Sequence, residues 1–296
     1  MGIIDTLSTE LADRTAQAAT FTVGIHSGQR PRSGILWRPD VVLASEQVLP
    51  EDATDLTVIR GGTRVAATLA GRDPGTNVAV LKLESPLDGA LPRAETEPPR
   101  VGSLALLIGA DASGAPTARL ATVHEVGAAW HSMAGGRIDA LIRLDSRLAA
   151  DEGGPVISLA GGLIGMSTSG PRRRTIVIPA ATLERVVDPL LADGRIARGW
   201  LGIGLQPVMI PDGFRQSTGR DSGLMVVSLA DGAPAATAKI LPGDIVLDID
   251  GAPVSRPRAL TASLGPDRIG QAVVLRVLRA GAVQTIAVTV AARPAA

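Results

Sequence analysis

The stretch DEGGPVIS, residues 151–158, joins an acidic pair to two glycines, a proline and the start of an apolar strand. Adjacent glycines and a proline are typical of a turn, and Val156 and Ile157 begin the strand that follows it. Asp151 and Glu152 are neighbours in an extended loop, so their side chains point apart. The pair is not expected to act together as acid and base, and the role of Glu152 in front of this turn becomes the central question.

Length and composition predict two domains built mainly from β-strands. A chain of 296 residues fits one domain of roughly 150 to 200 residues and a second of about 100. Hydrophobic residues make up 45% of the chain but aromatic residues only 2%, so we expect cores of Val, Ile, Leu and Ala. The glycines and prolines separate short apolar runs and form no repeat, which is typical of strands joined by turns.

The charge balance and the residue types present exclude several functions. Basic and acidic residues number 29 each, so no overall field draws the protein to nucleic acid or to an anionic membrane. The basic triplet 172–174 is interpreted as a solvated loop. Cysteine is absent, which excludes disulfides, thiolate catalysis and cysteine-ligated zinc. His26 is interpreted as a half-exposed strand residue rather than a base. His124 and His131 could share a metal but lack a third ligand at convincing spacing, so neither a metal nor a cofactor is expected.

Residues 1–19 are predicted to form a short amphipathic helix. Ile3, Ile4, Leu7 and Leu11 recur on one helical face, and polar residues between them interrupt any apolar core of signal-peptide length. Elsewhere no run reaches the length of about 18 apolar residues that is needed to span a bilayer. We therefore expect a cytoplasmic protein without a membrane span, or a periplasmic one if a cleaved leader precedes this sequence.

The order of the apolar runs predicts the domain limits. Two successive groups of about six strand-length runs occupy residues 20–179 and predict two small antiparallel barrels packed together. Residues 180–197 are predicted to form a linking helix that ends at Gly194. Residues 198–292 hold five further strands and two short helices, which form a second domain, and the tail 293–296 is expected to fray.

Taken in order, these segments resemble the HtrA/Deg family of trypsin-like serine proteases with a C-terminal PDZ domain. The resemblance extends over residues 21–291 and depends on the motifs SGILWRPDVVLASEQVL, DPGTNVAVLKLE, ADEGGPV and LPGDIVLDIDG. It implies a mainly β fold. A trypsin-like double β-barrel is followed by a PDZ domain, which is a five-stranded, partly open barrel with two short helices.

The resemblance also implies that all three positions of the family's catalytic triad are replaced. Gln47 occupies the position of the histidine, Asn77 that of the aspartate and Glu152 that of the nucleophilic serine. Gln47 cannot accept a proton near neutral pH, and Asn77 carries no charge to support an imidazolium. Loss of one triad member typically costs several orders of magnitude in rate, so we expect a pseudoenzyme. The segment between Asp145 and Gly153 is also one residue shorter than the family pattern.

Glu152 permits two interpretations at this stage. Its carboxylate can fold over the backbone amides that form the family's oxyanion hole and stiffen an inactive site. Alternatively, it is a surface acid on a relaxed loop. Ser45 and Ser158 are strand residues without a paired histidine, so neither is expected to replace the missing nucleophile.

In the second domain, the resemblance implies a peptide-binding site. A C-terminal peptide would add as a strand beside the carboxylate-binding loop and lay its side chains against a helix. The six residues expected to form the site are Trp200, Leu201, Gly202, Ile203, Leu260 and Leu264. The alternative is an edge strand that is covered and binds nothing.

These observations predict a proteolytically inactive HtrA-like homologue that binds peptides or protein C-termini as a scaffold, adaptor or regulator. The alternatives are a hydrolase with non-standard catalytic groups, a regulatory subunit of an active protease paralogue, and a structural protein without peptide recognition. Family members commonly trimerise through N-terminal aromatic residues. This chain offers Phe21 alone in that region, so its oligomeric state stays open.

Overall fold

The computed structural model describes residues 2–27, 30–89, 92–95, 97–148 and 152–294, without the side chains of Arg30 and Arg172. Two compact units make up the chain, Met1–Ile196 and Ala197–Ala296. Among the described residues, no helix combines the length and the apolar character needed to cross a membrane.

The first unit begins with helix α1, Ile3–Ala19. Two closed six-stranded barrels follow within its described residues, as the spacing of the apolar runs predicts. The strands of the first barrel are β1 (Thr22–Ser27), β2 (Arg30–Arg38), β3 (Val41–Ser45), β4 (Leu56–Arg60), β5 (Thr63–Asp73) and β6 (Val78–Leu83). Their order around the barrel is β1-β2-β3-β6-β5-β4, so β3 and β6 are neighbours.

The second barrel has the order β11-β14-β13-β12-β7-β8, and β9 and β10 form a separate hairpin. The strands of this part are β7 (Leu104–Ala110), β8 (Pro116–Gly127), β9 (Trp130–His131), β10 (Arg137–Ile138), β11 (Leu141–Arg147), β12 (Pro155–Ser158), β13 (Leu163–Ser169) and β14 (Arg174–Pro179). Aliphatic residues fill the cores of both barrels, as the low aromatic content predicts. The fold class expected from the sequence is thus confirmed.

The N-terminal helix forms as predicted, but its first apolar residues do not pack. Ile3 and Ile4 are 89% and 82% exposed, whereas Leu11 and Ala18 pack against the barrel core. These packed residues lie in the second half of the helix, so the apolar face of its first turn stays uncovered. Phe21 is buried in the core of the first barrel and is not exposed for contact with another subunit.

Helix α2, Ala180–Asp193, ends at Gly194, as predicted. Gly194 has a φ of 71°, in the left-handed region that glycine adopts without steric cost. Leu183, Val186 and Leu190 are buried against the barrel core, because α2 packs on β5, β6, β13 and β14. The helix expected as a linker is therefore an integral part of the first unit.

The second unit is a sheet with the order β16-β17-β18-β20-β21, to which β19 adds at β18, and with a separate β15-β22 pair. Its strands are β15 (Gly199–Trp200), β16 (Ile203–Met209), β17 (Ser222–Leu229), β18 (Ile245–Ile249), β19 (Ala252–Pro253), β20 (Ala272–Arg279), β21 (Ala282–Thr289) and β22 (Ala291–Ala292). Three short helices lie within its described residues, α3 (Asp212–Thr218), α4 (Pro234–Thr237) and α5 (Pro257–Ala262). The sequence predicted α4 and α5 but not α3.

The LPGD motif of the second unit is held by a buried ion pair. Asp244 is 2% exposed and accepts hydrogen bonds from Arg279 Nε at 2.7 Å and Nη2 at 2.6 Å. These bonds raise the pKa of Arg279 above its ordinary value. Asp244 also accepts a bond from the Leu241 amide at 2.8 Å, which closes the turn before β18.

Candidate functional site

The first unit brings Gln47, Asn77 and Glu152 together, as the resemblance implies. Gln47 lies in the 3-10 turn Glu46–Val48 directly after β3, and Asn77 directly precedes β6. The two positions are adjacent because β3 and β6 pair, with Ser45 opposite Val78. Glu152 reaches them from the second barrel, where it precedes β12. We call these three residues the 47–77–152 cluster.

Asn77 fixes the turn that carries Gln47. Its Oδ1 accepts a hydrogen bond from the Gln47 backbone amide at 2.8 Å. Its Nδ2 donates to Ser45 Oγ at 3.1 Å and to Thr168 Oγ1. Asn77 has a φ of 57°, a left-handed conformation that asparagine tolerates better than most residues.

Glu152 is buried and bonds across the cluster. It is only 8% exposed, so the interpretation as a surface acid is wrong. Its Oε1 accepts from Gln47 Nε2 and from the Ser169 amide at 3.0 Å, and its Oε2 accepts from Ser169 Oγ at 2.8 Å. These partners lie on the turn after β3 and at the end of β13.

The oxyanion-hole interpretation of Glu152 is not supported by these bonds. Among the described residues, the carboxylate accepts no hydrogen bond from an amide of its own loop. Residues 149–151, which belong to the segment expected to be one residue shorter, lie outside the described residues.

Arg72, which the sequence analysis did not single out, holds the backbone around Gln47. Its Nε donates to Glu46 Oε1 at 3.0 Å, and its guanidinium also binds the carbonyls of Pro50 at 3.1 Å and Leu49 at 3.2 Å. The sequence feature that could have pointed to this role of Arg72 is its position as a basic residue inside the strand that leads into the DPGT turn. Arg72 thereby positions the turn that carries Gln47.

Of the other residues considered from the sequence, Ser45 borders this cluster through its hydrogen bond with Asn77, whereas Ser158, His26 and His131 make their contacts elsewhere. Ser158 donates to Glu95 at the end of β12. His26 is a half-buried strand residue whose Nε2 lies 3.0 Å from the Ala112 carbonyl. His131 is exposed at the β9-β10 hairpin, where desolvation and then the charge of Arg137 lower its pKa. The described residues contain no group of three or more His, Cys, Asp or Glu able to hold a metal ion.

Replacing Glu152 with alanine is expected to destabilise the first unit by about 1 to 3 kcal/mol. The Ser169 amide would lose its side-chain acceptor, and a buried unsatisfied donor costs roughly this much. Hydrogen exchange in a urea series, followed on peptides from β3 and β13, measures the change. Glu184→Ala, at an exposed position on α2, is the matched control. A Glu152→Ala protein as stable as this control would contradict the prediction.

In the second unit, the chain turns at Gly202 in the loop between β15 and β16. Gly202 has a φ of 73°, and a Cβ on it would lie 2.2 Å from Ala233 Cβ, so only glycine fits. The carbonyls of Leu201 and Gly202 accept bonds from Ala235 at 3.0 Å and Ala230 at 2.9 Å. The amides of Leu201 and Gly202 have no acceptor within the described part of the chain.

The strand that follows this loop has an open edge. Within the described residues, β16 pairs with β17 alone, and the bond between Gly202 and Ala230 sets which of its amides face β17. Because amides alternate along a strand, those of Ile203 and Leu205 face the open edge. The next residue whose backbone nitrogen faces the open edge is Pro207, which has no N–H to donate. The edge can thus pair with only a short added strand.

Three of the apolar residues expected to line a peptide groove are buried in the core of the second unit. Leu201, Leu260 and Leu264 are 2%, 3% and 5% exposed and belong to one buried core, so they are less accessible than the sequence analysis expected. Trp200 and Ile203 are half-buried. Helix α5 packs on β16, and the Leu264 carbonyl accepts a bond from the Gly199 amide at 3.0 Å. The segment that follows α5 therefore lies beside β15, which precedes the loop.

Comparison with known proteins gives matches to both units. A model of the trypsin-like peptidase domain matches residues 32–166, and one of the PDZ domain matches residues 200–290. A protein of Brucella suis named "Probable periplasmic serine endoprotease DegP-like" is 30% identical over 262 residues, which are 86% of this chain and 50% of that protein. A Rhizobium meliloti protein of the same name is 29% identical over 279 residues, 90% of this chain and 54% of that protein. The chain thus spans about half the length of these relatives.

Solved structures show the same fold. A structure described as "HtrA-type protease AlgW with decapeptide" superimposes with a TM-score of 0.76 at 22% identity, covering 97% of this chain and 99% of that one. The serine endoprotease from Yersinia pestis gives a TM-score of 0.75 at 22% identity, with 96% and 98% covered. The chain therefore belongs to the HtrA/DegP-like family, with a trypsin-like peptidase domain followed by a PDZ domain.

Proposed function

We propose that this protein is a proteolytically inactive HtrA-like homologue that binds protein C-termini through its PDZ domain and acts as a scaffold, adaptor or regulator. In this proposal residues 20–179 form the inactive peptidase body and residues 198–292 the binding domain. An active protease paralogue is one class of partner that such a regulator would serve.

The observation that carries the proposal of inactivity is the direction of the hydrogen bonds at position 47. A catalytic base must offer a lone pair to the nucleophile. Gln47 instead donates through Nε2 to Glu152 and, at 3.0 and 3.1 Å, to Thr168 Oγ1 and the Ser169 carbonyl. The mechanism needs a proton acceptor at position 47. Gln47 places an amide donor there instead, and this donor already binds three acceptors.

Peptide binding is supported by the loop and edge of the second unit. The unpaired amides of Leu201 and Gly202 suit a terminal carboxylate, which accepts several hydrogen bonds from backbone donors. The amides of Ile203 and Leu205 at the open edge suit a short added strand. The AlgW structure that shares the fold is described with a decapeptide, which is consistent with this mode of binding.

The names of the relatives also bear on location. The Brucella and Rhizobium relatives are named as periplasmic proteins. This favours the periplasmic alternative for the present chain over the cytoplasmic location expected from its first residues, and we include a periplasmic location in the proposal.

A second candidate function, a hydrolase with non-standard groups, is favoured by one contact. Ser169 Oγ donates to Glu152 Oε2 at 2.8 Å, which is the geometry of a nucleophile beside a base. A carboxylate is a weaker base than the imidazole of a serine protease, and Glu152 also accepts from Gln47 and the Ser169 amide. Any such activity would depend on Ser169, and Ser169→Ala would abolish it.

One experiment tests both parts of the proposal. The purified protein is incubated with a pool of varied peptides that have free C-termini, and mass spectrometry identifies cleaved and retained peptides. We expect retention without cleavage, and no retention of the same pool with amidated C-termini. Cleavage that persists through repurification would refute inactivity, and equal retention of amidated peptides would refute recognition of the carboxylate.

A further inference from the structure

The sheet of the second unit has an open edge at β21. This strand is the last in the order β16-β17-β18-β20-β21, and within the described residues it pairs with β20 alone. Its register with β20 runs from Ala282 to Thr289 without a bulge. At the opposite edge of the sheet, β16 is interrupted by Pro207. The edge at β21 is therefore the longer uninterrupted template for an added strand.

Two hydrogen bonds show which backbone groups of β21 face this edge. The Val290 carbonyl accepts from the Gly270 amide at 2.8 Å, and the Val290 amide donates to the Gln271 carbonyl at 2.9 Å, so both groups point toward the segment that leads into β20. Backbone groups alternate in direction along a strand, so every second residue counted back from Val290 also faces β20. The residues that face the open edge are Val283, Thr285, Ala287 and Thr289. Among the described residues, none of these four amides has an acceptor.

This edge has none of the sequence features that prevent pairing between sheet edges. Natural proteins protect an exposed edge with charged side chains, prolines, bulges or a covering element. Residues 280–292 contain neither a charged residue nor a proline. The four edge-facing residues are exposed, and three of them are β-branched, which suits a strand. Helix α4 contacts β21, but on its inner face, where Ala235 and Val288 share one buried core.

The side chains on the outer face beside this edge are apolar or neutralised. Val274 of β20 is 41% exposed and lies opposite Ala287 in the register. Arg276 lies opposite Thr285, and its charge is paired with Asp248 at 2.6 Å. A strand added at β21 would therefore meet no uncompensated charge on this part of the face, which favours a partner strand that is itself uncharged.

From these observations we propose that β21 pairs antiparallel with β21 of a second copy of this chain, so that the two sheets join about a twofold axis. A twofold contact places the same surface on both sides, and like charges that meet across paired strands are destabilising. In every antiparallel register of residues 282–289, an uncharged side chain meets an uncharged one, so this edge is complementary to itself. The surface lies at the other end of the sheet order from β16, and the inference does not depend on peptide binding.

Sedimentation velocity of the full chain over a concentration series tests this inference. Pairing of one short strand is a small contact and follows mass action, so we expect monomers at about 1 µM and dimers at about 200 µM. Thr285→Lys should weaken the association at least about tenfold, because the twofold contact brings the two lysines close together. Val227→Lys is the matched control, since Val227 is 48% exposed on β17, an internal strand of the sheet, and this variant should associate like the unchanged protein.

A second variant tests the backbone pairing directly. Thr285→Pro removes an N–H that faces the open edge, where a strand tolerates proline, and it should also prevent the dimer. Hydrogen exchange of β18 and β20 verifies that the second unit is folded in both variants at position 285. An assembly that Thr285→Lys and Thr285→Pro leave unchanged lies at another surface and overturns the inference. A chain that stays monomeric at about 200 µM also overturns it and leaves the edge to a strand of a different protein.

Discussion

A protein carrying Gln47→His, Asn77→Asp and Glu152→Ser together is expected to cleave casein at least about 10³-fold more slowly than an HtrA protease with its native triad. These substitutions would introduce the three residue types of the family's catalytic triad. The carboxylate introduced by Asn77→Asp would still accept the bond from the amide of residue 47, which Asn77 Oδ1 accepts at 2.8 Å. The expected defect lies instead in the loop before residue 152.

That loop must aim backbone amides at the developing oxyanion, and such donors work only when they are placed in advance. We expect from the sequence that the segment from Asp145 to Gly153 is one residue shorter than the family's pattern, so we do not expect its amides to converge on the same point. Replacing three side chains would not restore a missing residue.

Casein cleavage is measured by release of fluorescent peptides, with the single variant Glu152→Ser as the control for folding and for contaminating protease. Thermal unfolding and retained peptide binding verify that the triple variant is folded. Robust cleavage by the triple variant alone would show that the loop is competent and that only the side chains were lost.

Replacing Gly202 with glutamate is expected to weaken binding of C-terminal peptides at least about 100-fold, which corresponds to about 2.7 kcal/mol. Residue 202 has a φ of 73°, and its Cβ would lie 2.2 Å from Ala233 Cβ and 2.9 Å from the Trp200 ring. The loop would have to move, and the new carboxylate would repel that of the ligand. Each charge-assisted hydrogen bond lost from the loop adds about 1.5 to 3 kcal/mol.

The control is Gly213→Glu, because a Cβ at Gly213 meets nothing within 4 Å. Both variants add the same charge to the second unit, but only one adds it at the loop. Anisotropy with the tightest retained peptide gives the affinities, and hydrogen exchange of β17 and β18 shows whether the unit remains folded. Comparable affinity of both variants would place the peptide site elsewhere.

The two sites differ in how far sequence reasoning could reach. The grouping of Gln47, Asn77 and Glu152 could be expected because the short motifs that carry them keep the order of the resembling family along the chain. What Glu152 does there could not be predicted, since its partners at Gln47 and Ser169 are 105 and 17 residues away. In the second unit, the motif indicated that the loop needs glycine at position 202, but it did not indicate that Leu260 and Leu264 are buried.

The sequence by itself determined the local features of this protein. Alternation of short apolar runs with turn residues specified two barrels and a further sheet, and Gly194 marked the end of α2, because strand, turn and cap preferences act over a few residues. Only the tertiary structure decided that Glu152 is buried and faces Gln47, and that Arg72 holds the turn beside it. These facts depend on pairing between distant strands and helices, which no short stretch of sequence encodes.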